Sequence, residues 1–394
     1  MDRPLLNRRL AEFGTTIFAE MSALAVRTGA INLGQGFPDT DGPEEVREAA
    51  VRALRDGRGN QYPPGPGIPE LRTAVAAHQE RFYGHLGVSC DPDTEVLVTA
   101  GATEAIAASL LALLEPGDEV IALEPYYDSY AACIAMAGGT RVPVTLRPDP
   151  ESGSYALDLD ELRDAVTDRT RLILLNTPHN PTGTVLTRDA LAEVARLACE
   201  RELLVITDEV YEHLVFEGEH LPLASFPGMR ERTVTIGSAG KTFSFTGWKV
   251  GWVTATPELV GAVRSAKQFL TYVSAGPFQY AVAEALALPD SYYTDLRDDL
   301  RAKRDILATG LTDAGFQVFR PSGTYFITTD IRPLGFDDGF AFCRTLPERA
   351  GVVAIPNAVF YDHQDQGAPF VRFAFCKRTD VLNEAVTRLK QLAP

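Results

Sequence analysis

The sequence contains few of the residues that build disulfide or metal-thiolate frameworks. Its 394 residues include five cysteines and six histidines, and no two cysteines form a CxxC pair. An odd, scattered set of thiols argues against a disulfide scaffold or a thiolate zinc site, and favours a reducing cytosol. His179 and His213 lie beside the motifs described below. Neither has a second histidine at the spacing typical of zinc ligands, so no metal site is predicted.

The chain also has few positive charges and no long apolar run. Lys and Arg number 37 against 53 Asp and Glu, giving a net charge of −16, which disfavours binding to a nucleic-acid backbone. No apolar stretch approaches the roughly 18 residues of a membrane helix. The N-terminal MDRPLLNRRLAEFG lacks the apolar segment of a secretory signal. We therefore expect a soluble, cytoplasmic protein with no nucleic-acid or membrane partner.

The middle of the chain alternates short apolar runs with amphipathic helical stretches. This alternation predicts an α/β fold with a mostly parallel sheet covered by helices. The predicted strands are EVLVTA (95–100), EVIALEP (119–125), RLILLNTP (171–178), LLVITDEVY (203–211) and RTVTIGS (232–238).

The pattern changes near residue 290. A long helical stretch ending at Gly315 is followed by the strand-like segments TYFITTD and FVRFAFC. This change predicts a large domain over 46–289, and a smaller α+β domain formed by 1–45 together with 290–394.

Polar side chains follow the predicted strands at the points where the strands end. In open α/β sheets, ligands bind outside the carboxyl ends of the strands. Turn formation explains the Gly and Pro residues there. It does not explain why Asn180, Asp208, Tyr211 and Lys241 all reach one rim. We interpret this rim as a functional site.

The segment GSAGKTFSFTGWKVGW (237–252) places Lys241 directly after a buried strand. A phosphate-binding P-loop, GxxxxGK[ST], would require glycine five residues before Gly240, where the chain has Thr235. A nucleotide site is therefore disfavoured. A lysine can instead form a Schiff base with pyridoxal 5′-phosphate (PLP), provided that burial and a cation such as Lys249 lower its pKa from about 10.4.

PLP needs further partners, and the sequence offers candidates for each. Asp208 can hold the pyridine nitrogen protonated, and Tyr211 and Asn180 can donate to the phenolic oxygen. The phosphate suits a helix N-terminus at Gly101-Ala102-Thr103. Ser238 and Lys249 can complete that phosphate site. Arg372 lies within an apolar strand, where either a carboxylate ligand or a structural salt bridge must satisfy it.

Taken together, the motifs resemble those of class I, fold-type I PLP aminotransferases across nearly the whole chain. The similarity is greatest to the branch of kynurenine aminotransferase/glutamine transaminase K and actinobacterial N-succinyldiaminopimelate aminotransferases. The motifs are GQGFPD (34–39), NQYPPGPG (60–67), NTPHNPTG (176–183), TDEVYEHLVF (207–216), SAGKTFSFTGWKVGW (238–252) and VRFAFCK (371–377).

The resemblance implies the same roles for Lys241, Asp208, Asn180 and Tyr211, and adds others. Tyr126 is expected to stack on the cofactor ring. Arg372 is expected to bind the substrate α-carboxylate with the Gly36 backbone and Asn180. Tyr62 is expected to reach the phosphate of the neighbouring subunit's cofactor, which implies a homodimer with shared active sites. Lys249 departs from the family, which often has arginine at this position. An ammonium group binds phosphate as a point charge, whereas a guanidinium can form two parallel hydrogen bonds.

The implied activity is ping-pong transamination between an L-amino acid and a 2-oxo acid, with Lys241 moving the proton. Candidate substrates are N-succinyl-LL-diaminopimelate with glutamate or, alternatively, kynurenine, glutamine and methionine with a cysteine-conjugate β-lyase side activity. A PLP lyase or decarboxylase would use the same cofactor residues.

Overall fold

A computed structural model describes residues 5–14, 16–149 and 153–392. None of the helices in these ranges is long and apolar enough to cross a membrane. The strands, in chain order, are β1 (Ile31–Asn32), β2 (Val96–Thr99), β3 (Glu119–Glu124), β4 (Thr140–Asp149), β5 (Ser154–Leu157), β6 (Thr170–Asn176), β7 (Leu204–Asp208), β8 (Thr233–Ser238), β9 (Gly251–Thr254), β10 (Gln317–Phe319), β11 (Phe326–Asp330), β12 (Val352–Val353), β13 (Ile355–Pro356) and β14 (Phe370–Ala374).

Helices surround these strands. They are α1 (Ile17–Thr28), α2 (Glu44–Arg55), α3 (Pro69–Tyr83), α4 (Gly101–Leu113), α5 (Asp128–Ala137), α6 (Leu159–Asp164), α7 (Arg188–Glu200), α8 (Ala239–Thr242), α9 (Pro257–Lys267), α10 (Gly276–Leu286), α11 (Asp290–Asp313), α12 (Gly339–Ala350), α13 (Gln364–Gly367) and α14 (Thr379–Leu389).

The main sheet has eight strands in the order β2-β9-β8-β7-β6-β3-β4-β5. Neighbours from β8 to β4 pair in parallel, which confirms the predicted mostly parallel sheet. Strand β9 was not predicted; it lies between β2 and β8 and is antiparallel to both. Because β9 reverses the direction twice, β2 still runs the same way as β8. All five predicted strands therefore end at one edge of the sheet.

Register at this edge fixes the positions of the polar residues. Asn176, the last residue of β6, is opposite Asp208, the last residue of β7. The central strands β6 and β7 are buried except at Arg171 and the half-buried Leu204, so their apolar side chains pack against helices on both faces. Buried, paired strands of this kind hold the residues at their ends in fixed positions.

The C-terminal part of the chain forms a four-stranded antiparallel sheet, β10-β11-β14-β13, beside the long helix α11. Gly315, with φ of 93°, follows the end of α11 as expected of a helix terminator. Met21 and Leu33 belong to the same apolar core as residues of α11 and β14. The N-terminal segment therefore packs with the C-terminal part of the chain.

Candidate active site

A cavity of about 270 Å³ opens at the carboxyl edge of the main sheet. Ten of the predicted site residues line it: Gly36, Gly101, Ala102, Thr103, Asn180, Asp208, Tyr211, Ser238, Lys241 and Lys249. Three others, Tyr62, Tyr126 and Arg372, do not line it.

Asp208 is a buried carboxylate at the end of β7, with only 5% of its surface exposed. The hydroxyl of Tyr130 donates to its Oδ2 over 2.6 Å. Burial raises the pKa of Asp208 to about 6, against the opposing effect of the Tyr130 hydrogen bond. The group is therefore anionic at neutral pH, in an apolar setting where a cationic partner would be strongly favoured.

Lys241 lies on α8, and its Nζ is 5.6 Å and 5.7 Å from the ring centres of Tyr211 and Tyr325. Burial lowers the pKa of Lys241 to about 8, and the positive charges of Arg372 and Lys249 add to the effect. The side chain is thus prepared to act as a neutral amine near physiological pH.

The other end of the cavity is suited to an anion. Helix α4 begins at Gly101 without a capping side chain, so its first N–H groups face the cavity unpaired by a cap. Glu104 instead accepts from the backbone N–H of Ala100. Lys249 reaches this terminus, because a Cβ placed on Gly101 would lie 3.3 Å from its Nζ. Ser238 lines the same region.

Arg372 lies behind Asn180 and is 2% exposed. It donates to Asn180 Oδ1 over 2.9 Å and to the Gly34 carbonyl over 3.0 Å. Its Nε has no hydrogen-bond partner among the described residues, and neither of its two acceptors is charged. A buried cation without a charged partner is costly, so a carboxylate ligand would complete it.

The structure places Tyr127, and not the predicted Tyr126, along the cavity. Tyr127 lines the cavity and is hydrogen-bonded to Thr103. Tyr126 points away, towards Asp362, and burial raises the pKa of its hydroxyl. Neighbouring side chains of extended backbone project to opposite sides, so only one of two adjacent tyrosines can enter the cavity.

Tyr62 lies on the surface, 82% exposed and away from the cavity. Its ring centre is 5.6 Å from that of Tyr272, which is also exposed. Within one chain, therefore, Tyr62 does not contribute to this site.

Sequence reasoning missed three residues that support the site. Tyr130 holds Asp208, as described above. Asn176 donates to the Asp208 carbonyl over 2.8 Å and accepts from the Asn180 N–H over 2.7 Å. Tyr325 donates to the Gly36 carbonyl over 2.6 Å. Asn176 opens the motif NTPHNPTG and Tyr130 lies outside the motifs, but for both only the contact with Asp208 in the fold reveals the role.

Histidine spacing along the chain does not show which histidines meet in the fold. His213 does have a second histidine nearby: His78 of α3, 135 residues away in sequence, whose Nε2 is 2.8 Å from that of His213. Sequence spacing could not detect a pair formed by packing between distant elements.

The cavity thus combines an anion-binding helix terminus, a buried carboxylate and an amine of lowered pKa. These groups fit PLP, which carries a phosphate, a basic ring nitrogen and an aldehyde. Arg372, which forms no salt bridge with the described residues, adds a position for a substrate carboxylate.

Comparison with known proteins agrees with this chemistry. The family model of aminotransferase class I and II matches residues 28–389. A probable N-succinyldiaminopimelate aminotransferase of Mycobacterium tuberculosis is 56% identical, covering 98% of each chain. A methionine aminotransferase of Escherichia coli is 40% identical, covering 99% of this chain and 100% of the relative. A kynurenine–oxoglutarate transaminase of Dictyostelium discoideum is 38% identical, covering 98% and 96%.

Solved structures show the same likeness. The M. tuberculosis N-succinyldiaminopimelate aminotransferase superposes with a TM-score of 0.95 at 56% identity, over 98% of this chain and 100% of that one. A methionine aminotransferase from E. coli superposes with a TM-score of 0.91 at 39% identity, over 98% and 100%. The residues that line the cavity fit PLP, and the relatives match over nearly their full length. This chain therefore belongs to the class I and II aminotransferases and is a PLP-dependent transaminase.

Proposed function

We propose that the enzyme transfers an amino group from an L-amino acid to a 2-oxo acid, with Lys241 as the proton-transferring base. The observation that carries this proposal is the buried Arg372, whose hydrogen bonds go only to neutral oxygens. Both an amino acid and a 2-oxo acid present a carboxylate that the guanidinium can bind. Lysine 241 supplies an amine of lowered pKa in the adjacent cavity.

When bound, PLP supplies an electron sink that makes the substrate Cα–H acidic. Asp208 would pair with the protonated ring nitrogen, and Tyr130 would keep the carboxylate oriented. Tyr211 and Asn180 would donate to the phenolic oxygen. The Oδ1 of Asn180 already accepts from Arg372, which leaves its amide nitrogen as the donor. Lys241 would accept the Cα proton and return it to the cofactor side.

The α4 terminus, Ser238 and Lys249 would hold the phosphate, and Tyr127 would cover the ring in place of Tyr126. Gly36 would lie over the substrate, since a Cβ there would come within 2.4 Å of the Phe326 ring. The absence of a side chain at Gly36 therefore lets its backbone lie close to the rings of Phe326 and Tyr325.

For the substrate we propose N-succinyl-LL-diaminopimelate, with glutamate and 2-oxoglutarate as the other pair. Support comes from the 56% identity to the M. tuberculosis relative over 98% of both chains.

The cavity gives a reason to keep a second candidate. Lys241 and Lys249 are the cationic side chains that line it, while Phe37, Tyr127 and Tyr130 supply aromatic surface. Such a surface suits kynurenine, methionine or glutamine, in keeping with the methionine and kynurenine enzymes among the relatives. The distal carboxylates of a succinylated substrate would need cations from outside this cavity.

The decisive experiment measures kcat/KM for N-succinyl-LL-diaminopimelate, kynurenine, glutamine and methionine with 2-oxoglutarate as the common acceptor. We expect the succinylated substrate to be preferred. A preference of more than tenfold for any of the other three, about 1.4 kcal/mol in transition-state binding, would replace it with the broad-specificity assignment. Failure of all four amino donors would contradict the transaminase assignment itself.

We further propose that the chain has a large domain formed by residues 46–289 and a small domain formed by residues 1–45 together with 290–394.

We also propose that the enzyme is a cytoplasmic homodimer with shared active sites. Three exposed aromatic residues support the dimer: Tyr62 at 82% exposure, Phe269 at 83% and Tyr272 at 51%. Exposed apolar groups of this size mark interaction surfaces. Light scattering of the purified enzyme should give the mass of two chains of 42.8 kDa each. Tyr62→Phe should weaken PLP binding if Tyr62 reaches the partner's phosphate.

A further inference from the structure

A second cluster of chemically active side chains lies next to the active site but outside its cavity. It consists of His78 on α3 and of Glu212 and His213, which follow β7. The ligand atoms of these three side chains all lie within 4.8 Å of one another. His78 is 3% exposed and Glu212 9% exposed, and neither they nor His213 lines the active-site cavity.

The two imidazoles meet end to end. Their Nε2 atoms are 2.8 Å apart and their ring planes are nearly perpendicular, at 85°. At this distance one Nε2 donates its proton and the other accepts it through its lone pair. A single N–H···N bond uses only one proton of the pair.

The rest of the cluster is incompletely satisfied. Glu212 accepts a hydrogen bond from Tyr83, yet its Oε2 has no partner among the described residues. Buried polar atoms without partners are rare in folded proteins and point to an ion or a water that completes them.

We propose that His78, Glu212 and His213 bind a divalent transition-metal ion, with zinc the best match. Two imidazoles and one carboxylate form a ligand set typical of zinc sites that keep a fourth position for water. Zn–N distances of about 2.0–2.1 Å in a tetrahedral site separate two nitrogens by roughly 3.3 Å. The imidazoles therefore need to move apart by about 0.5 Å, and the metal replaces the N–H···N bond.

The surrounding charges also accommodate a cation. Two positive groups act on the cluster: Arg81, which is paired with Asp290 and the Leu288 carbonyl, and His220. Glu209 lies on the opposite side, 2.8 Å from His220. Rings of Phe82 and Tyr293 enclose the histidines, with Phe82 4.8 Å from His78 and Tyr293 4.4 Å from His213. A bound metal would tie α3 to the segment that carries Asp208 and Tyr211.

The test uses tag-free, PLP-loaded enzyme that has been stripped of metal with a chelator. Zn²⁺ is titrated by calorimetry, and Co²⁺ is added to record the visible d–d bands of a tetrahedral site. We expect one equivalent to bind and the thermal midpoint to rise. In His78→Gln and His213→Gln, affinity should fall at least tenfold. His85→Gln, which changes an exposed histidine just beyond α3, should bind as the wild type does.

Circular dichroism and cofactor absorbance verify that each variant folds. The wild-type titration decides the question even if both histidine variants fail to fold. Binding well below one equivalent, or octahedral Co²⁺ bands, would overturn the proposal. So would affinity that is unchanged in both histidine variants, since the metal would then bind elsewhere.

Discussion

The lowered pKa of Lys241 predicts how the apoenzyme captures PLP as pH changes. Only the neutral amine can attack the cofactor aldehyde, so the capture rate follows the deprotonated fraction of Lys241. Burial holds the pKa of that amine at about 8, with Arg372 and Lys249 contributing in the same direction.

The magnitude follows from the titration. With a pKa of about 8, the neutral fraction of Lys241 is about 10% at pH 7, about 50% at pH 8 and about 90% at pH 9. An ordinary lysine with a pKa of about 10.4 would rise about 100-fold over the same interval without levelling. We therefore expect an increase of about tenfold between pH 7 and pH 9, followed by a plateau. Asp208, with a pKa of about 6, is already ionised over this range.

Stopped-flow absorbance measures the rate at which apoenzyme captures PLP at constant ionic strength. A simple alkylamine reacting with PLP in the same buffers provides the control for changes in the cofactor itself, whose phosphate titrates near pH 6. A capture rate that continues to climb tenfold per pH unit through pH 9 would refute the assigned environment of Lys241.

Three substitutions test the other roles. Asp208→Asn should leave folding nearly intact but slow turnover about 10²–10⁴-fold, because loss of a buried charge pair costs about 3–5 kcal/mol; a rate within a few-fold of wild type would contradict its role. Arg372→Lys should lower kcat/KM roughly tenfold to 100-fold for both the amino donor and the 2-oxo acid acceptor, because a single ammonium group replaces a bidentate guanidinium. An effect on the acceptor alone would argue against binding of the α-carboxylate by Arg372. Tyr127→Leu should weaken PLP affinity, measured by cofactor fluorescence, while Tyr126→Leu should mainly lower the thermal midpoint; the reverse pattern would restore Tyr126 to the site.

Much of the site could be predicted from sequence because the chemistry lies at strand ends. Asn180, Asp208 and Lys241 each follow an apolar run, and parallel strands bring such ends to one edge. The motif at 237–252 further separated a Schiff-base lysine from a P-loop, because Thr235 stands where glycine would be required.

What sequence could not supply depends on the direction of side chains and on packing between distant elements. Adjacent tyrosines 126 and 127 have the same chemistry, and only the backbone path into α5 determines which one enters the cavity. Strand β9 follows a segment rich in glycine and aromatic residues, and this composition did not indicate a strand. The contact between His78 and His213 joins α3 to the end of β7, and no spacing rule covers it.

The segment TDEVYEH at the end of β7 illustrates how one stretch of chain serves two environments. Asp208 and Tyr211 line the active-site cavity, whereas Glu212 and His213 lie outside it, beside His78. Burial raises the pKa of both Asp208 and Glu212, to about 6 and about 7, so both carboxylates gain from a cation placed nearby. For Asp208 the cofactor's ring nitrogen provides it, and for Glu212 the proposed metal would. This segment therefore buries three acids: Glu209 lies against His220, and we infer that Asp208 and Glu212 each take a cation supplied from outside the chain.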